Sequence, residues 1–205
     1  MFTSLFLKSL NREAASRKNR PEEILHHLEI REGHAIADLG SGGGFFAHAF
    51  AGRTGKNGKV YAVDTQPKYL EFIRRRSERE GLSNIVLVQG VEMDKKLPEA
   101  GLNLVFVRNV FHHLPEPAAS FQNLRRFLKP GGRVVIIEHR PKKGFGFVSL
   151  FKHHTPSQTI IEEMDKAGYR LLSSADFLPD QTFNVFGLKG EPPKPAILFA
   201  LFLCK

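Results

Sequence analysis

The feature that most constrains this chain is a glycine-rich loop that joins an apolar run to a helical stretch. The apolar run Ala35–Leu39 contains one acid, Asp38, and leads directly into Gly40-Ser41-Gly42-Gly43-Gly44. An amphipathic stretch follows from Phe45 to Ala51. Glycines are needed in such a loop because a tight turn requires positive φ and because no Cβ can stand between the backbone and a ligand. The order of strand, turn and helix N-terminus predicts a nucleotide-type pocket.

Short apolar runs alternate with helical patterns through the first two thirds of the chain. This alternation is typical of an α/β fold with a parallel sheet that carries helices on both faces. Two later strand-like pieces, residues 169–173 and 183–188, are joined by a short loop and predict an antiparallel hairpin. The five earlier strands are predicted at residues 35–39, 60–63, 85–88, 104–107 and 134–137.

Three helices are predicted from local signals. Apolar spacing predicts a helix over residues 117–128 that Pro130-Gly131-Gly132 terminates. The capping box Thr155-Pro156-Ser157-Gln158, with proline at its first helical position, predicts a helix that runs to Gly168. Near the start of the chain, one helical stripe carries Phe2, Leu5, Phe6 and Leu10.

Length and composition are those of one domain in a reducing, cytoplasmic setting. We divide residues 1–205 into an N-terminal helical segment (1–33), a core (34–190) and a proline-rich spacer with an apolar tail (191–205). The single cysteine excludes a disulfide framework. The net charge of +9 is spread along the chain. Its one cluster, Arg74-Arg75-Arg76, is interpreted as a solvated helix face, so no nucleic-acid partner is expected.

The two ends of the chain leave alternatives open. The basic, phenylalanine-containing segment from Met1 to Arg20 could be a targeting or membrane-surface helix, or a helix that lies over the pocket mouth. The apolar stretch Ala196–Cys204 could add an edge strand, form a dimer contact or insert into a lipid surface. Peripheral membrane contact therefore stays an alternative, and the sequence leaves the oligomeric state open.

Asp64 bears on which nucleotide-type ligand the loop holds. It lies 24 residues after Gly40, at the carboxyl end of the second predicted strand. A carboxylate there can accept hydrogen bonds from the ribose hydroxyls of a dinucleotide or of S-adenosylmethionine. The dinucleotide pattern G-x-G-x-x-G, begun at Gly40, would need glycine where Phe45 stands, so the match to that pattern is weak.

From about Pro21 to Lys189 the chain resembles the Rossmann-like, class I S-adenosylmethionine-dependent methyltransferases. It is most similar to the group with small-molecule acceptors, including quinone- and arsenite-methylating enzymes. The resemblance implies a mostly parallel seven-stranded sheet with an antiparallel last strand, S-adenosylmethionine as cofactor and a small-molecule acceptor. The stretches that carry it are Asp38–Gly44, Val63-Asp64, Val88-Gln89-Gly90, Arg108–Leu114 and Leu128–Gly132.

The resemblance also implies which residues bind the cofactor. The glycine loop would hold the methionine and ribose part, the Asp64 region the ribose hydroxyls, the residues after Gly90 the adenine, and Arg108 with Asn109 the methionine side. One departure is Val91, which stands where the family usually has an acid, with Glu92 one place on. The implied set is Asp38, Gly40, Ser41, Gly42, Gly44, Asp64, Thr65, Gly90, Val91, Glu92, Arg108 and Asn109.

Methyl transfer from a sulfonium requires mainly alignment and exclusion of water, with a general base only when the nucleophile arrives protonated. His112 and His113 follow the fourth predicted strand at the ligand-binding edge, and each could be a base or a structural loop histidine. His139 ends the fifth predicted strand at the same edge and, as the third catalytic candidate, could orient an anionic acceptor. Adjacent histidines lack the i, i+4 spacing of a helical metal site, so no metal is expected. Two other functions remain open: an NAD-dependent oxidoreductase and a non-catalytic binding domain that keeps the methyltransferase fold.

Overall fold

Seven strands form one sheet in the computed structural model, which describes residues 2–140 and 154–191. The strand order is β3-β2-β1-β4-β5-β7-β6. β7 runs antiparallel to both of its neighbours, whereas the other pairs are parallel. The strands are β1 Ala35–Leu39, β2 Lys59–Asp64, β3 Ile85–Gln89, β4 Leu102–Arg108, β5 Leu128–His139, β6 Tyr169–Ala175 and β7 Gln181–Leu188. The predicted parallel strands, the hairpin and the seven-stranded sheet are confirmed.

Helices connect the strands and cover the sheet. They are α1 Phe2–Ala14, α2 Pro21–His27, α3 Phe45–Thr54, α4 Pro67–Glu80, α5 Met93–Lys96, α6 Pro117–Leu124 and α7 Ser157–Lys166. Short 3-10 turns occupy Arg17–Asn19, Gly90–Glu92, Phe111–His113 and Arg125–Phe127.

The central strands are apolar throughout because both of their faces are buried. Successive side chains of a strand point to opposite faces. Accordingly, Val105 belongs to the cluster that also contains Phe121 and Tyr169, whereas Phe106 belongs to the opposite cluster with Ile24 and Phe50. The two clusters hold β1 and β4 side by side at the middle of the sheet.

The switch in strand order beside β1 positions the site. Leu39, at the end of β1, pairs with Val63 of β2 on one side and with Val107 of β4 on the other. The carboxyl ends of these parallel strands therefore meet at one edge. Open α/β sheets bind their ligands in the crevice at such a point.

Two predicted helix boundaries are wrong. α6 ends at Leu124, and residues 128–132 begin β5 instead of terminating a helix. Leu124 and Leu128 are both buried. Their spacing fits a longer helix, but it equally fits a helix that ends at Leu124 and a strand that begins at Leu128. The expected capping box does not form, because α7 starts one residue later than predicted, with Pro156 as an N-cap that makes no side-chain bond, and the Gln158 amide donates to Glu162 instead.

The predicted N-terminal helix forms, and the described residues of its apolar stripe are at most partly covered. α1 buries Leu7 and Ala14, whereas Leu5 is 59% and Phe6 50% exposed. The covered side of α1 rests on the glycine loop, where the backbone of Leu7 and the side chain of Asn11 come close to Gly43.

The basic cluster on α4 lies on a solvated face. Its arginines pair with acids one helical turn away, among them Arg75 with Glu71 and Arg76 with Glu80, both at 2.7 Å. Within the described ranges, no helix combines the length and apolar character that crossing a bilayer requires.

Candidate functional site

The glycine loop is held against the end of β2 by its own backbone. The amides of Gly40 and Ser41 both donate to the carbonyl of Val63, at 2.8 and 3.0 Å. Gly40 has φ +70°, and a Cβ there would overlap the side chain of Val110. The loop conformation therefore requires glycine at this position for two separate reasons.

Asp64 connects the loop to β2 through its carboxylate. One oxygen accepts from the amide of Gly42 and the other from the amide of Gln66, each at 2.9 Å. Asp64 is 8% exposed. Because an ionised carboxylate offers about four lone-pair sites, both oxygens can accept further hydrogen bonds from a ligand. Asp64 thus has a structural role in the loop that the sequence did not reveal.

A cavity of about 170 Å³ lies between the loop and α1. Asp38 and Arg108 reach it from the ends of β1 and β4, and both are buried. Among the described residues, Asp38 Oδ2 and Arg108 Nε have no hydrogen-bond partner. Burial raises the pKa of Asp38 to about 7 and lowers the pKa of Arg108.

Buried polar atoms are normally satisfied, so an acceptor and a donor left over in one cavity indicate a ligand that supplies both. An amino-acid group, with its ammonium and carboxylate, fits this pair. The predicted residues Asp38, Gly40, Ser41, Gly42, Arg108 and Asn109 all line the cavity, together with α1 residues Leu10, Asn11, Glu13 and Ala14 that the sequence did not identify.

A buried glutamine from β7 orients the end of β4. The Arg108 guanidinium donates to Gln181 Oε1 at 3.3 Å, and Gln181 Nε2 donates to Asn109 Oδ1 at 2.7 Å. Asn109 itself has φ +56°, a left-handed conformation that asparagine tolerates. Gln181 reaches the site only because β7 pairs antiparallel with β5, which local sequence patterns do not specify.

The predicted adenine side is open to solvent. Thr65 is exposed at the end of β2, and its Cγ2 would lie 3.2 Å from a Cβ built on Gly90 at the end of β3. Val91 is 87% exposed. The side chain of Glu92 lies outside the described structure. Gly44, the N-cap of α3, completes the loop between this open half and the enclosed cavity.

His112 is held by a buried acid at the end of β5. Its Nδ1 lies 2.9 Å from Glu138 Oε2, and its backbone amide donates to the same oxygen at 3.0 Å. Glu138 is fully buried. Glu138 was not among the predicted site residues, although an acid directly after the apolar run Val134–Ile137 was a usable signal. This arrangement fixes which ring nitrogen faces the acid.

The other two candidate histidines are placed differently. The ring of His113 is exposed and lies 4.0 Å from that of His112. His139 is half-buried, and burial lowers its pKa. In the described part of the chain, no three His, Cys, Asp or Glu residues are grouped so that they could hold a metal ion. His153, most of the loop 141–155 and the tail 192–205 lie outside the described residues.

A groove of about 600 Å³ adjoins His112. It runs between the start of α6 and the start of α7. Its lining is mainly apolar, with His112, Glu116, Glu163 and two threonines at its borders. The apolar lining residues are Phe111, Leu114, Pro115, Pro117, Ala118 and Ala119.

Comparison with known proteins identifies one matching family model and several similar proteins. A family model described as a methyltransferase domain matches residues 30–175. A demethylmenaquinone methyltransferase of Geobacillus kaustophilus is 25% identical over 130 residues, covering 63% of this chain and 56% of that protein. A protein-L-isoaspartate O-methyltransferase of Methanococcoides burtonii is 36% identical over 110 residues, covering 53% of this chain and 51% of that protein. The chain thus spans about half the length of these relatives.

Among solved structures, an S-adenosylmethionine-dependent methyltransferase from Aquifex aeolicus superposes with a TM-score of 0.80. The two sequences are 23% identical, and the match covers 89% of this chain and 97% of that one. At this identity the likeness establishes the shared fold.

We predict that Gly40→Ala lowers the free energy of unfolding by roughly 1–3 kcal/mol, because it combines positive φ with a clash against Val110. Gly52→Ala is the matched control. Gly52 lies within α3, and a Cβ there meets no atom within 4 Å, so that variant should be about 0.5–1 kcal/mol more stable than the wild type. Urea unfolding measures the stability of both variants. Equal stability of the two variants would contradict the loop geometry.

Proposed function

This chain belongs to the class I S-adenosylmethionine-dependent methyltransferases, and on that basis we propose that it methylates a small, hydrophobic acceptor of the quinone or lipid-like kind. The observation that carries its cofactor part is the pair of buried, incompletely satisfied groups, Asp38 and Arg108, above the glycine loop, and the groove beside His112 supports the class of acceptor. The membership confirms the expected family and leaves an NAD-dependent oxidoreductase without support. A non-catalytic domain would bind the cofactor without methylating an acceptor, so a turnover assay distinguishes it from an enzyme.

We assign the described residues to the groups of the cofactor by their chemistry. Arg108 would hold the carboxylate of its methionine part, and Asp38 would hold the ammonium. Asp64 would accept from the ribose hydroxyls while it keeps its bond to Gly42. Thr65, Gly90 and Val91 would border the adenine at the open side.

When bound, S-adenosylmethionine supplies a methyl group that its sulfonium activates for direct displacement. The protein has to hold the acceptor in line and keep water out. His112 is the candidate base for an acceptor that arrives protonated. Glu138 orients its Nδ1, so Nε2 is the atom that would take the proton.

The apolar groove beside His112 supports a hydrophobic acceptor. Its lining from Phe111 to Ala119 offers proline, alanine and leucine side chains beside His112 and Glu116. The relative named demethylmenaquinone methyltransferase points to the same class, whereas the relative named for protein isoaspartate points to a polar peptide. Peripheral membrane contact stays a prediction, for which exposed Leu5 and Phe6 beside Lys8 are the described candidates.

We expect the full chain to methylate a short-chain hydroxynaphthoquinone and not an isoaspartyl peptide. The assay supplies S-adenosylmethionine with each acceptor and detects one added methyl group by mass spectrometry. His112→Ala should reduce the rate, and His113→Ala, which changes an exposed neighbour, serves as the matched control. Methylation of the peptide alone would overturn the acceptor class, and binding without turnover on any acceptor would favour a non-catalytic domain.

We also predict a pH dependence of cofactor binding that arises from Asp38. Its pKa is about 7 in the ligand-free protein, and the ammonium of the cofactor favours the ionised carboxylate. Binding should therefore release a proton below pH 7, and affinity should fall about tenfold from pH 8 to pH 6. Calorimetric titration with S-adenosylhomocysteine measures this dependence. Asp38→Asn should bind more weakly with a flat profile, whereas a flat wild-type profile would contradict the role of Asp38.

A further inference from the structure

α1 closes the cofactor cavity from above by direct contact with the glycine loop. Asn11 Nδ2 donates to the carbonyl of Gly43 at 2.7 Å. A Cβ on Gly43 would lie 2.6 Å from the carbonyl oxygen of Leu7 and would overlap the Asn11 side chain. The helix backbone thus packs on the loop as closely as glycine allows.

The cavity beneath α1 can hold only part of the cofactor. It measures about 170 Å³ and would take the methionine part, because the adenine side lies outside it at the open edge. The walls formed by β1, β4 and the loop are fixed by the sheet and by the bonds from Gly40 and Ser41 to Val63. α1 lies outside the sheet, so it is the wall of this cavity that can move without disturbing the strands.

A second contact ties α1 to the group that would bind the cofactor. Glu13 Oε1 lies 3.4 Å from Arg108 Nη2. The Glu13 side chain is 48% exposed, whereas that of Arg108 is 9% exposed. Glu13 is held in place by Asn19, whose Nδ2 donates to Glu13 Oε1 at 2.7 Å and to the Glu13 carbonyl at 2.6 Å.

The charges of Glu13 and Arg108 would link the movement of α1 to the binding of the cofactor. Arg108 is buried and needs a negative partner, which Glu13 provides in the closed arrangement. The cofactor's methionine part carries a carboxylate that needs the same guanidinium. Glu13 and the incoming carboxylate therefore compete for one cation.

We propose that α1 is a gate over the cofactor site and that Glu13 occupies Arg108 in place of the cofactor carboxylate until the gate opens. The anchor of the gate is the buried Asn19 in the turn after α1. Two contacts keep α1 closed: the hydrogen bond from Asn11 to Gly43 and the ion pair of Glu13 with Arg108. This proposal rests on the proposed function for the identity of the ligand, but the motion of α1 can be measured without ligand.

The first experiment follows amide hydrogen exchange in the ligand-free protein. Asn11→Ala should raise amide exchange across α1 at least several-fold, because the hydrogen bond from Asn11 to Gly43 is lost. Asn57→Ala is the matched control, since Asn57 makes an exposed bond to Glu32 away from the site. Unchanged exchange in α1 of the Asn11 variant, with an intact helix by circular dichroism, would overturn the gate whatever the protein binds.

The second experiment measures binding kinetics of S-adenosylhomocysteine by surface plasmon resonance. Glu13→Gln should speed association roughly three- to tenfold and tighten the affinity accordingly, because a closed state that excludes ligand is weakened. Glu22→Gln removes the same charge from an exposed pair with Arg53 and should leave the rate unchanged. Slower association or weaker binding in Glu13→Gln would show instead that Glu13 is a ligand contact. If no variant binds, the proposed function fails, and hydrogen exchange still decides the gate.

Discussion

The site depends on two opposite charges that the fold buries without fully pairing them. Asp38 lies near the end of β1 and Arg108 ends β4, so the parallel alignment of these strands brings both to the same edge. Burying ionisable groups without complete partners is costly, and here the cost shows as a raised pKa for Asp38 and a lowered one for Arg108. A zwitterionic ligand would satisfy both groups, and the loop beside them is nearly all glycine, which leaves room for it.

The residues around Asp38 and Arg108 belong partly to rigid elements and partly to a movable one. The sheet, the loop and Gln181 hold the charged groups in position through backbone and side-chain bonds of 2.7–3.3 Å. α1 covers them through polar contacts and the buried Leu7, whereas Leu5 and Phe6 remain exposed. Elements with few buried apolar contacts open most easily, so a cover of this kind can admit a ligand without disturbing the core.

The sequence predicted the parts of the fold that are fixed locally. Continuous apolar runs located the parallel strands because both faces of the sheet are buried, and the glycines of the loop located the pocket. The start of β5 was mispredicted because buried leucines at helical spacing also fit a helix that is followed by a strand. The cap of α7 was mispredicted because Gln158 of the expected Thr-Gln pair bonds to Glu162 in the folded chain. Glu13, Glu138 and Gln181 were not identified, since each reaches the site through a helix or strand pairing distant in sequence.

The most direct test of the account is a calorimetric titration of the full chain with S-adenosylhomocysteine, comparing the wild type with Arg108→Gln. Hydrogen bonds to a charged group contribute about 1.5–3 kcal/mol, so the variant should bind roughly ten- to a hundredfold more weakly. Arg133→Gln, which changes a partly buried arginine paired with Glu29, should bind like the wild type. A wild-type protein that shows no binding, or an Arg108 variant of unchanged affinity, would contradict the central claim.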